Sequence, residues 1–140
     1  MTQAWLKTLG TAKAPVPDDW RAAHDGALLH TITFRRRPSM EPGHRIALYA
    51  AGWRAVFAAG TITTLPYEQE GEDPWPWRVG VHLTHGVALI HDGMPLSALT
   101  AEPPLSRSIR QKSHIRISSG EHAAITSTLP ALDTRAPAPS

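Results

Sequence analysis

Trp75 and Trp77 flank Pro76 where a polar stretch gives way to the alternating run WRVGVHL. Trp53 lies at the end of an earlier candidate strand, and Trp20 follows two prolines, Pro15 and Pro17. An indole face stacks a flat heterocycle, and each such contact on a nucleobase is worth about 1–3 kcal/mol. A box of two or three indoles also suits a methyl group or a cation. The chain has five Trp against two Phe and two Tyr, a ratio that the core of a small protein rarely needs. For any single Trp the competing reading is core packing around a small barrel. Arginine is the second ingredient, supplying 11 of the 14 basic residues. Its planar guanidinium pairs with phosphate in a bidentate way and stacks on aromatic rings. The basic groups fall in two places: Arg35, Arg36 and Arg37, and then Arg107, Arg110, Lys112 and Arg116. Ser106, Ser108, Gln111 and Ser113 interleave the second run as neutral donors, a mixture that suits phosphate oxygens. The competing reading there is an exposed, soluble strand face.

Other chemistry is poorly represented. There is no phosphate-binding glycine loop with Lys-Ser/Thr, no G-x-S-x-G elbow and no H-E-x-x-H. With no cysteine, disulfides, zinc fingers, thiol catalysis and iron–sulfur clusters are excluded. His82 and His85, with His91 nearby, invite a metal reading. Residues three apart on a regular strand face opposite sides, however, so no metal site is expected. Glu68, Glu70, Glu72 and Asp73 cluster in one polar stretch and read as a solvated loop.

The elements that must position these residues fit one domain of 140 residues. Residues 4–9 predict a first strand. Asp18 or Asp19 is placed to cap a short helix through Trp20 to His24, stopped at Gly26. Residues 27–34 predict a strand or an extended arm. The turn at 42–44 launches a strand over 45–51, and a second follows over 55–64, with Gly60 at a bulge or close approach. Residues 66–76 predict a long polar loop, 77–83 a strand, and 87–90 a continuation of the sheet. A short helix is expected over 95–99 with Pro at its first turn, and a strand ending in HIRI over 109–117. Ser118 and Glu121 form a capping box ahead of a helix to about Ser127. Residues 129–140 hold three Pro and little to bury, so the domain spans 1–128 and 129–140 is expected to be a mobile tail. The sum is an α+β fold: a curved mixed sheet of five or six strands closing towards a barrel, flanked by short helices.

The order of these features resembles the EVE domain, of the PUA-like superfamily that also holds the YTH and ASCH domains. The resemblance covers about residues 42–126. PGHRIALYA is similar to the family's "PGD-hydrophobic-Tyr" strand, with His44 where Asp is usual. FAAGTITTLPY is similar to its "F-x-G/A-hydrophobic-Tyr" strand, RVGV to its arginine-led strand, and SIRQKSHIRIS to its closing strand before a helix. The usual Lys-Ser-Glu-Pro after the first strand stands here as Lys7-Thr8-Leu9-Gly10. The resemblance implies a PUA-like pseudo-barrel with a pocket for a modified base. YTH domains read N6-methyladenine in RNA through an aromatic cage, and EVE domains are associated with modified cytosines in DNA. The YTH cage implies Trp75 here, or Trp77 if the register shifts, with Trp20 as the partner from the region after the first strand.

The expectation is therefore a non-catalytic reader of 5-methylcytosine or 5-hydroxymethylcytosine in DNA. The base is flipped at a cost of a few kcal/mol into a pocket of Trp20, Trp75, Trp77 and Trp53, with Thr8 and Ser106 reading its edge. Arg35, Arg36, Arg37, Arg107, Arg110 and Lys112 would hold the backbone, making binding salt-dependent. The alternatives are a reader of a modified base in RNA, an ASCH-like hydrolase using Lys7, whose acid partner is not apparent, or a protein-interaction or small-ligand module. No metal or cofactor is expected. The partner is nucleic acid, with any downstream effect in a separate effector protein. No apolar run spans a membrane and no secretory leader is visible, so a cytoplasmic location is expected.

Overall fold

A computed structural model describes residues 3–11, 13–22, 30–71, 74–99 and 114–132. The described residues form one mixed sheet, curled into a half-barrel, with one α-helix against it. The strands are β1 (Ala4–Leu9), β2 (Thr31–Phe34), β3 (Arg45–Ala50), β4 (Ala55–Ile62), β5 (Tyr67–Glu68), β6 (Trp77–Gly86), β7 (Met94–Pro95) and β8 (His114–Ile117). The order across the sheet is β2-β6-β4-β3-β1-β8, with β5 added on β6 and β7 on β4. The β1–β3 pair is parallel and the other pairs are antiparallel. Six strands have four residues or more, and both faces of the central ones are covered, which is why RIALYA and AVFAAGTI read as near-continuous apolar runs.

Gly60 lies where the β4–β6 register shifts, and a Cβ there would stand 2.1 Å from the His82 carbonyl oxygen. Only glycine permits that approach. The shift also overturns the expectation for His82 and His85. Thr84 is the extra residue, so His82 pairs with Thr61 and His85 with Ala59, and both histidines share one face of β6. His85 Nδ1 lies 2.8 Å from Thr84 Oγ1, and among the described residues no group of three metal-ligating side chains forms.

The helix α1 (Ser119–Thr128) opens on the expected capping box: Glu121 N donates to Ser118 Oγ at 3.0 Å, and Ser118 N to Glu121 Oε1 at 2.8 Å. It packs on β3 and β4 through Ile125 and His122. His122 is buried and bonds the Ile46 carbonyl oxygen through Nε2 at 3.1 Å, while its buried Nδ1 has no hydrogen-bond partner among the described residues.

Three expectations are corrected. Residues 18–22 form turns rather than a helix; Trp20 drives deep into the core, where it is worth more than a helical face. The remainder of that predicted helix, 23–24, lies outside the described residues. β6 runs unbroken to Gly86, after which the chain leaves the sheet for a 3-10 turn at Ile90–Asp92, held by the Asp18 carboxylate 2.6 Å from His91 Nδ1. The tail does not begin at 129. Leu129 is buried, Gly86 N donates to the Pro130 oxygen at 2.9 Å and Leu132 N to the Thr84 oxygen at 2.8 Å, so 129–132 docks along the end of β6. Residues 133–140 lie outside the described set. The short helix expected over 95–99 is present, as a 3-10 turn at Leu96–Ala98 that Pro95 leads into.

Burial holds His122 below the ordinary histidine value of 6.5. Its folded pKa is depressed, so its contribution is intact above 6.5 and is lost as pH falls towards the folded value. In denaturant melts, His122→Gln, which keeps an N–H donor but cannot titrate, should lose less stability below pH 6.5 than the wild type. Parallel losses in the two proteins would contradict this role.

Candidate ligand site

The two end strands of the sheet, β2 and β8, come together without pairing. Across the sheet, Lys7 aligns through Leu48 and Ala58 with Gly86 of β6. Yet Lys7 touches Phe34, which aligns with Trp77, nine positions earlier on the same strand. That stagger means the strands tilt steeply as the sheet curls. The seam is filled by side chains instead of ladder hydrogen bonds.

Alternation along β1 puts Trp5, Lys7 and Leu9 on one face and Leu6 and Thr8 on the other. Lys7 is 2% exposed. Its Nζ lies 4.7 Å from the Phe34 ring centroid and 5.4 Å from that of Trp75. Phe34 meets the His114 ring edge-on at 5.2 Å, and His114 lies 5.6 Å from Trp5. Trp5 donates its Nε1–H to His44 Nδ1 at 3.2 Å and carries Arg116 over its ring at 5.3 Å. On the outer side, Arg35 lies 4.9 Å from the half-buried Trp75 ring and Arg37 lies 5.7 Å from the Trp77 ring. Among the described residues, no carboxylate forms an ion pair with Lys7, Arg35 or Arg37.

Loss of water around Lys7 lowers its pKa from 10.5 to about 8. The site thus concentrates positive charge and aromatic faces in one place. It can hold a planar ring against Trp75 and offer the ring's substituents an ammonium group.

The sequence-predicted residues divide. Trp75, Trp77, Arg35 and Arg37 converge at the seam. Arg36 is exposed on the same short segment. Trp75 lies ahead of β6, which starts at Trp77. Trp20 is 0% exposed, edge-on to Phe57 at 4.9 Å, with its Nε1–H given to the Val87 oxygen at 2.9 Å. It stands against Gly86, at the end of β6 away from Trp77, about 30 Å along a strand of this length. Trp20 is therefore a core residue and not part of a cage with Trp75. Trp53 is exposed on the β3–β4 turn and donates to the Val16 oxygen at 2.9 Å, also away from the seam. Thr8 faces away from Lys7, and its buried hydroxyl oxygen has no hydrogen-bond partner among the described residues. Ser106, Arg107, Arg110 and Lys112 lie outside the described residues. The functional candidates that motif reasoning passed over are Phe34, Trp5 and His114, with Lys7 weighed only as a hydrolase residue. The available signal was a lysine in phase with Trp5 on a buried strand.

No family model matches the chain, and no curated protein matches it. A solved structure of similar fold is the NMR structure of Rpa0253 from Rhodopseudomonas palustris. It is 16% identical, with a TM-score of 0.58, over 91% of this chain and 92% of that one. That likeness shows the fold alone. Among the described residues, no helix is long and apolar enough to cross a membrane.

Lys7 is buried with no counter-charge among the described residues, and such a group opposes folding. Lys7→Met should stabilise the protein at neutral pH by about 3 kcal/mol, the equivalent of lowering a lysine pKa from 10.5 to about 8. The unfolded chain holds the Lys7 proton more tightly, so wild-type stability from this group rises between pH 8 and 10.5, and the advantage of the variant shrinks over that window. Denaturant melts at neutral and alkaline pH check this. A destabilised Lys7→Met protein would contradict it.

Proposed function

We propose that the protein is a non-catalytic binder of a modified nucleobase, taken into the seam of a PUA-like pseudo-barrel related to the EVE domain. The observation that carries this reading is Trp75, half-buried with one ring flanked by the cations of Lys7 and Arg35. A base stacks on the indole, and the exposed guanidinium groups of Arg35, Arg36 and Arg37 hold adjacent phosphates. Trp77 and Arg37 form the neighbouring wall. The order of the strand motifs favours a cytosine modified at C5 in DNA over a modified base in RNA. In a duplex the base must be flipped, at a cost of a few kcal/mol that stacking and the backbone contacts offset. Lys7 also suits the ASCH-like hydrolase alternative. That chemistry needs an acid beside the amine, and among the described residues no carboxylate pairs with Lys7. The seam supports holding a ligand more directly than relaying its proton.

The test is a titration with matched oligonucleotides carrying cytosine, 5-methylcytosine, 5-hydroxymethylcytosine or N6-methyladenine. They are offered as single- and double-stranded DNA and RNA at two salt concentrations. The expected result is salt-dependent binding with a preference for a modified cytosine in DNA. Trp75→Ala should weaken it by about tenfold or more, and Trp53→Ala should leave it unchanged. Equal losses in the two variants, or no binding to any oligonucleotide, would overturn the proposal.

A further inference from the structure

Two features of the seam are left over once a flat neutral ring is placed on Trp75. The first is the charge of Lys7. Its ammonium is buried between Phe34 and Trp75 and has no ion-pair partner among the described residues. The second is Arg35, which shares the Trp75 ring, so the two cations lie within about 10 Å of each other. That is close to the screening length of physiological salt, and burial screens Lys7 less still. Protein interiors rarely tolerate such a group without an anion. Methyl and hydroxymethyl substituents bring no charge, so neither supplies what the site lacks.

We infer that the ligand of the seam is a planar heteroaromatic ring bearing a carboxylate, with the ring stacked on Trp75 and the carboxylate set against Lys7 and Arg35. This rests on the seam being the ligand site. The shared chemistry has two sources: a cytosine carboxylated at C5 within DNA, or a free pyrimidine carboxylic acid. Phe34 and Trp75 place aromatic rings beside the ammonium, an apolar setting that strengthens a charge-assisted hydrogen bond and rejects a neutral isostere that cannot make it.

The experiment is calorimetric titration of the full chain with two matched sets. One set is DNA oligonucleotides carrying cytosine, 5-methylcytosine, 5-formylcytosine or 5-carboxylcytosine. The other is orotate beside orotamide, its uncharged amide. Each is run on the wild type, Lys7→Met and His114→Gln. The expected result is that the carboxylate binds about tenfold or more tightly than its neutral counterpart, and that Lys7→Met abolishes the preference. The wild type supplies a second readout that needs no variant. Affinity for the carboxylate should fall as pH rises through about 8, while affinity for the neutral partner does not. Among the described residues, the other titratable or charged groups facing Lys7 are Arg35 and His114. His114→Gln should retain the same pH dependence. Orotate bound through Lys7 with every oligonucleotide ignored would keep the anion site and overturn the nucleic-acid reading. Oligonucleotides bound without regard to the carboxylate would keep that reading and overturn this inference. A preference that survives Lys7→Met would overturn it equally.

Discussion

The curled sheet has two edges that meet without ladder pairing among the described residues, and the rest of the structure is arranged around that gap. β2 and β8 are the terminal strands, and Phe34 and His114 meet across them at 5.2 Å where a ladder would otherwise form. A steep stagger brings Lys7 to Phe34 although it aligns across the sheet with Gly86. The β4–β6 bulge at Gly60 and the β3–β4 irregularity at Leu48/Tyr49 let the sheet bend that far. The helix covers the opposite face of β3 and β4, leaving the seam to the aromatic residues of β1, β2 and β8.

A seam closed by side chains is more adaptable than a closed barrel, and it puts a cation where solvent is scarce. Lys7 trades stability for charge at that point. Its desolvation favours the neutral amine, while the electron-rich faces of Phe34 and Trp75 and any incoming anion favour the ammonium. A ligand that restores the missing counter-charge would therefore stabilise the fold as well as occupy the site. Arg35 and Arg37, stacked on Trp75 and Trp77, join this inner charge to an exposed basic rim.

Much of the framework was legible in the sequence because its signals are local. The apolar runs at 45–50 and 55–62, the Ser118–Glu121 capping box and the glycine at position 60 each depend on neighbours in sequence. Trp75, Trp77 and Arg35–Arg37 stand out by residue type, but the contacts of Arg35 with Trp75 and of Arg37 with Trp77 join segments 40 residues apart and are visible only in the fold. What escaped depends on contacts between distant segments. Trp20 reads from the sequence as a cage residue, but Val87 and Phe57, both far along the chain, enclose it in the core. Leu129 and Leu132 are few to anchor a tail, yet the backbone at the end of β6 pairs with Pro130 and Leu132. His82 and His85 were separated by a regular alternation that the bulge at Thr84 interrupts. Lys7 sits in phase with Trp5, but only closure of the sheet decides that this phase faces a dry seam.

The central claim is that Lys7 is buried, uncompensated by any carboxylate among the described residues, and held ready for a ligand. Its pKa can be measured directly in the full chain by following the Lys7 side-chain NMR signal against pH, assigned with Lys7→Met. The account predicts a midpoint near 8, well below the ordinary lysine value of 10.5. A midpoint at or above 10.5 would mean that the ammonium is solvated or already paired, and would contradict it.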